Sequence, residues 1–379
     1  MSELLLANAR VVTEHEVFLG RLSVANGRIA AIERGDEVPA GAVDADGDLI
    51  IPGLVELHTD VLERHAFPRP GVHWPAEAAV LAYDSELASV GITTTFDSLS
   101  VGYVIDSRQR PRDPRPLADA IATCQAHRRL RAEHFLHIRC EIATDGVVED
   151  FERLADHPLV RLVSLMDHTP GQRQWVSLDK FREFYAGKYG LSETEVAGMM
   201  AARMADHTRN AAPHRAAVTR QCHARGLTLI SHDDATVGHV EEAAKVGTVI
   251  AEFPTTLEAA HAARAYGLAI LAGAPNLVCG RSHSGNVSAT QLAALGLLDV
   301  LSSDYVPASL LHGAWLLHHR DGLALPAAIR TVTASPAACV GLNDRGLLAP
   351  GRRADIVRVR ADGDVPVLQG VWRQGQRVG

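Results

Sequence analysis

The chain has little that would tie it to a membrane, an oxidising compartment or a nucleic acid. Its 379 residues contain five cysteines, Cys124, Cys140, Cys222, Cys279 and Cys339, and no two of them stand at CxxC spacing. A dispersed, odd set in a long chain reads as reduced thiols, so a disulfide framework and a cysteine-held structural zinc are both excluded and a cytoplasmic location is expected. No apolar run reaches the ~18 residues of a membrane span. The opening residues, 1–8, lack the basic flank and length of a signal peptide. A net charge of -8 argues against nucleic-acid binding, which needs clustered Lys and Arg. Aromatic residues make up only 5% of the chain. The hydrophobic fraction of 47% and charged fraction of 22% are those of an ordinary globular enzyme.

Histidine is plentiful, at 19 residues, and its placement follows a pattern. Both ends of the chain read as short strands. Near the start, Asn26-Gly27 between two alternating runs marks a hairpin. Near the end, 354–359 and 371–378 have the same texture. These ends are expected to form one small β-sandwich domain, residues 1–52 with 343–379. Between them, short apolar runs alternate with helical patterns at 75–90, 117–131, 240–246 and 256–266, the signature of repeated βα units. Eight such runs occur, at 54–60, 92–97, 135–141, 160–168, 227–232, 249–253, 269–273 and 300–304. The fold class is therefore α/β, a (β/α)8 TIM-type barrel over 53–342. The stretch 177–225 exceeds one crossover and is expected to be a helical insertion, placed as a lid.

Active sites of such barrels lie at the C-terminal ends of the strands. Five of the runs finish in residues able to hold a metal: His58-Thr59-Asp60, Glu141, Asp167-His168, His232-Asp233-Asp234 and Asp304. Single cases are usually caps or satisfied core groups, and helix capping is the plain reading for Asp233 and Asp234. Together they point into one pocket. Residues i and i+2 of a strand share a face, so His58 and Asp60 can reach one ion. Imidazole and carboxylate donors suit Zn2+, with Mn2+ or Fe2+ as alternatives, and one or two ions are expected. Glu141 would bridge a pair. Asp304 is placed to bind metal and to accept a proton from the attacking water, as catalytic base. The remaining histidines carry no spacing argument and read as core or surface residues.

Longer strings add a resemblance. Leu49-Ile50-Ile51-Pro52-Gly53, Gly91-Ile92-Thr93-Thr94-Thr95 and Pro350-Gly351-Arg352-Arg353-Ala354-Asp355 resemble the amidohydrolase superfamily from end to end. Asp167-His168-Thr169-Pro170-Gly171-Gln172, Ser231-His232-Asp233-Asp234 and Ser282-His283-Ser284-Gly285-Asn286 are similar to the branch that works in the carbon–phosphorus lyase pathway. That resemblance implies a diphosphatase acting on a ribosyl triphosphate with a phosphonate at C1, releasing pyrophosphate. It departs from the usual superfamily pattern twice. The first strand carries His-x-Asp in place of His-x-His, and His168 and His232 follow strands four and five rather than five and six. A triphosphate needs cationic and N–H donors, and Arg139, Arg173, Lys188 and Arg281 lie in or beside these strings. Ser282, His283, Ser284 and Asn286 follow the seventh strand, in a loop suited to phosphate. The partner expected is this small molecule, with a homo-oligomer allowed. Two other readings stay open: a metal-dependent hydrolase of a C–N bond, which needs no such cationic set, and a non-catalytic binding protein, disfavoured because all the metal-capable residues are present.

Overall fold

The computed structural model describes residues 4–102, 113–175, 177–282, 285–361 and 363–379, with the side chains of residues 188 and 189 outside that description. His283 and Ser284 therefore lie outside the described residues, as does the Lys188 side chain.

Eight short, mostly β-branched and leucine-rich segments form one parallel sheet in strict sequential order: β1 (Leu54–Thr59), β2 (Ile92–Val101), β3 (Glu133–Glu141), β4 (Val160–Met166), β5 (Thr228–His232), β6 (Ile250–Glu252), β7 (Ala269–Gly273) and β8 (Val300–Ser302). All eight coincide with the expected runs. The sheet curls until β8 meets β1. There Thr59 and Asp304 form a parallel bridge, and the Asp304 N–H donates to the His58 carbonyl at 3.1 Å. The Glu56 carboxylate, fully buried, joins the same seam by accepting from the His58 and Ser303 backbone N–H groups, each at 2.7 Å.

Inside the barrel, Val55, Leu57, Phe96, Leu162, Ile230, Ile250, Leu271 and Val300 make an apolar floor. A larger apolar shell lies between the strands and the outer helices and includes Tyr83, Leu87, Ile121, Phe151 and Leu317. Filling the lower barrel with hydrocarbon leaves only its upper, C-terminal end for polar side chains, which is where barrel enzymes place their chemistry.

The chain ends build a separate mixed sheet. Leu4–Val12, Val17–Ala25, Arg28–Arg34 and Leu49–Pro52 pair with Ile356–Arg360 and Val367–Arg373 from the far end of the sequence. Asn26 and Gly27 both take positive φ, 53° and 70°, as a two-residue hairpin turn of this hand requires. This sheet has its own core of Leu6, Val11, Leu22, Ile29, Ile50 and Trp372. A single residue, Gly53, separates it from β1. A side chain there would strike Thr93 Oγ1 at 2.2 Å, so only glycine lets the strand enter the barrel.

After β4 come two helices, α1 (Leu178–Tyr189) and α2 (Glu193–Arg225), in the region expected to hold an insertion. Ser192 and Glu195 cap α2 reciprocally. The first part of α2 and α1 share a small core of Trp175, Phe181, Tyr185, Val196 and Met200. The latter part is fixed to the barrel by Asn210 to the Ala143 carbonyl and His214 to the Ile142 carbonyl. No helix among the described residues is long and apolar enough to cross a membrane.

Candidate active site

A cavity of about 720 Å3 opens at the C-terminal end of the barrel. Its wall contains His58, Asp60, Arg139, Glu141, His168, His232, Asp233, Ser282, Asn286 and Asp304. Three strands are followed by a non-glycine residue in the left-handed region: Asp233 after β5 (φ 56°), Phe253 after β6 (φ 55°) and Asp304 near the end of β8 (φ 53°). Such strain gathers where a side chain must be aimed rather than merely accommodated.

Two carboxylates organise the histidines. Glu252 is fully buried at the end of β6, and its two oxygens meet His58 Nδ1 at 2.7 Å and His232 Nδ1 at 2.5 Å. Glu141 accepts from His168 Nδ1 at 2.6 Å and from the His168 backbone N–H at 3.0 Å. An ionised carboxylate can only accept, so each Nδ1 carries a proton, and Nε2 is the nitrogen whose lone pair is open to a metal once the ring is neutral. Those Nε2 atoms face further acids. His232 and His168 lie 3.3 and 3.6 Å from Asp233 Oδ2, and His58 lies 3.9 Å from Asp304 Oδ1.

The electrostatics follow from burial and neighbours. Burial drives His232 down to about 3 despite Glu252. For His168 burial acts in the same direction, but Glu141 and Asp233 outweigh it and hold the ring up at about 9. Asp304 is pushed up to about 8, by burial first and then by the Asp60 carboxylate. Carboxylates crowded this closely call for a cation among them. Among the described residues two groups of atoms are close enough to hold one, His58–His232–Glu252 and His168–His232–Asp233, and they share His232. The donor set, imidazole nitrogen with carboxylate oxygen, fits a divalent ion of the zinc, manganese or iron type.

No protein-family model matches the chain. The alpha-D-ribose 1-methylphosphonate 5-triphosphate diphosphatase of Escherichia coli K12 is 44% identical over 377 residues, which are 99% of this chain and all of that protein. This chain belongs to that diphosphatase family. Among solved structures, N-isopropylammelide isopropylaminohydrolase from Burkholderia multivorans superposes with a TM-score of 0.65 at 17% identity, over 100% of this chain and 98% of that one. N-acetyl-D-glucosamine-6-phosphate deacetylase from Mycobacterium smegmatis does so at 0.63 and 17%, over the whole of both chains. These likenesses show the fold, a (β/α)8 barrel joined to a small β domain.

For the diphosphatase, the structure corrects several readings of single residues. Asp233 and Asp234 do not cap the following helix. Thr236 does, its hydroxyl accepting from the His239 N–H at 3.2 Å, which frees Asp233 to face the histidines. Arg173 does not reach the cavity. It sits in a short 3-10 turn (Arg173–Trp175) with φ 44°, is buried, and donates to the His232 carbonyl at 3.1 Å and to Asp234. Arg281 is exposed and lies off the cavity wall, although its neighbour Ser282 lines it. Arg139 is on the wall, 7% exposed, with its Nε lacking a hydrogen-bond partner among the described residues. Residues that sequence reasoning passed over are Glu252, visible only as one more strand-end acid, and Arg64, Arg69 and Arg203, which also line the cavity.

The correction at Arg173 carries an expectation. Arg173→Met leaves Asp234 buried and without its cation, a change that typically costs about 3–5 kcal/mol. The variant should melt at a distinctly lower temperature. Its KM for a ribosyl triphosphate, measured where it is still folded, should match wild type. A selective rise in KM with unchanged melting would return Arg173 to the substrate.

Proposed function

We propose that this chain hydrolyses alpha-D-ribose 1-methylphosphonate 5-triphosphate to the 5-phosphate and pyrophosphate, as a zinc-dependent enzyme of the cytoplasm. The observation that carries the reading is 44% identity to the Escherichia coli diphosphatase over nearly the whole of both chains, joined to a cavity that holds a cluster of metal-capable groups and the buried Arg139, whose Nε makes no hydrogen bond among the described residues.

His58, His232 and His168, with Asp60, Asp233, Asp304, Glu141 and Glu252 around them, would hold the metal. When bound it supplies a nucleophilic water at neutral pH and offsets phosphate charge. The protein's own groups do the rest. Glu252 and Glu141 fix the imidazole tautomers. Asp304 orients the attacking water and takes its proton. Arg139, reaching into the cavity from β3 with its Nε unpaired, stabilises charge as it moves onto the departing pyrophosphate. Ser282 and Asn286, on the cavity wall after β7, offer hydroxyl and amide donors to the outer phosphates.

Phosphorus NMR of the reaction mixture tests this directly. The expected products are pyrophosphate and a sugar 5-phosphate in equal amounts, with turnover lost on chelation and regained with zinc. Orthophosphate alone indicates a different phosphohydrolase. No phosphorus product, with turnover of a cyclic amide, sinks the proposal in favour of C–N hydrolysis.

A further inference from the structure

The substrate of the proposed reaction has an anion at each end, a triphosphate on C5 and a phosphonate on C1. The cavity walls carry arginine on two opposed sides. In the sheet order β1 to β8, closed by the Thr59–Asp304 bridge, β4 stands across the barrel from β8. On the β7–β8–β1 side are Arg64 and Arg69 with Ser282 and Asn286. On the β4 side is Arg203, carried over the mouth by α2.

Arg203 has the properties of a built anion contact. Its guanidinium donates to the Tyr185 hydroxyl at 3.2 Å and, over a longer 3.5 Å, to the His168 carbonyl. Its central carbon stands 5.1 Å from the Tyr185 ring centre and 5.8 Å from that of Phe181. All of these partners are neutral. Among the described residues no carboxylate comes within ion-pair distance of Arg203. Asp206, one turn further along α2 and also on the wall, is taken by Arg209 at 2.7 Å. The side chain is thus held in place without being neutralised, so little order is lost when an anion arrives.

The metal-capable cluster and Arg139, which acts electrostatically on both Asp304 and His232, lie in the middle of the mouth and mark where the reacting phosphorus would sit. Loops after strands seven and eight are a common phosphate site in these barrels. A triphosphate lying from the cluster toward the Ser282 loop and Arg69 leaves the ribose C1 directed at the opposite wall. We propose that Arg203 binds the C1 phosphonate and sets the enzyme's selectivity for ribosyl triphosphates that carry an anion there. The inference rests on the diphosphatase reading above.

The test uses two ligands that are not cleaved, so that it stands apart from turnover. The binding of alpha-D-ribose 1-methylphosphonate 5-phosphate and of ribose 5-phosphate to the full-length, metal-loaded enzyme is measured by calorimetry. Wild type should prefer the first by about ten- to a hundredfold, the range for a charge-assisted hydrogen bond. R203M should bring the ratio near one, and R203K should fall between. Y185F, which removes one of the bonds steadying the guanidinium, should lower the ratio severalfold and serves if R203M fails to fold. A wild type without preference, or a ratio unchanged in R203M or Y185F, overturns the assignment. Absence of pyrophosphate release by wild type overturns the diphosphatase reading instead, and leaves the ranking of the two ligands as a separate result.

Discussion

Glu252→Gln should lose most of its bound metal and nearly all turnover while remaining folded. One carboxylate here serves two imidazoles, His58 from β1 and His232 from β5, at 2.7 and 2.5 Å. The amide is the same size but has only one acceptor oxygen. Its NH2 must face one of the two Nδ1 atoms, and that ring then has to turn or to move its proton to Nε2. Either change removes a metal-capable lone pair. Loss of a carboxylate that orients a ligand from behind typically lowers metal affinity about 10–100-fold. Glu252 also sits within one of the atom groups close enough to hold an ion, and direct ligation would make the loss larger. Two histidines share this carboxylate and one of them must lose its acceptor, so turnover should fall further than for Glu141→Gln, where both oxygens serve His168 and the amide can keep its oxygen toward Nδ1. Metal content after dialysis and pyrophosphate release give the two readouts, and nitrogen chemical shifts of the histidine rings report the tautomer. Full metal and full turnover in the variant would mean the ion is held elsewhere.

The contrast between Glu252 and Asp304 shows what can be read from a sequence of this kind. All eight barrel strands follow from alternation of short apolar runs with helical patterns, because that alternation is a local consequence of burying strands on both faces. The strand-end positions of His58, Glu141, His168, His232 and Asp304 follow in turn, since the end of a run is a local feature too. The unusual placement of His168 and His232 after strands four and five is also what the structure has. Glu252 stands one residue short of the end of its run, 249–253, and its importance lies in partners 194 and 20 residues away. Pairing over such separations leaves no local mark. Arg173 and Arg203 were inverted for a related reason. Arg173 stands in a distinctive string, but one positive φ turns it under the site toward Asp234. Arg203 is an unremarked position in a 33-residue helix, and only the path of that helix across the barrel mouth brings it to the cavity.

Asp304→Asn should cut turnover by about 10²–10⁴-fold, the usual range for removing a general base, with melting close to wild type. The backbone at this position is left-handed, φ 53°, and asparagine tolerates that region better than any other residue except glycine. The bonds that close the barrel here are made by the main chain, through the Asp304 N–H to the His58 carbonyl, and survive the substitution. The carboxylate itself makes one long contact, 3.9 Å to His58 Nε2. Its role shows instead in its protonation. Burial and Asp60 raise it from 3.8 to about 8 in the metal-free fold. The native state then binds a proton that the unfolded chain releases, so this group's contribution to stability declines as pH rises from about 4 to about 8, and the decline is complete above that. Metal-free Asp304→Asn should lack this decline and be relatively more stable at pH 8 than at pH 5. Metal binding must displace the same proton, so wild type should take up metal more tightly as pH rises toward 8 and release about one more proton per ion at pH 6 than the variant does. Calorimetry in buffers of different ionisation enthalpy counts those protons. Equal proton release by the two proteins, or a fully active variant, would show that Asp304 neither meets the ion nor accepts the proton of the attacking water.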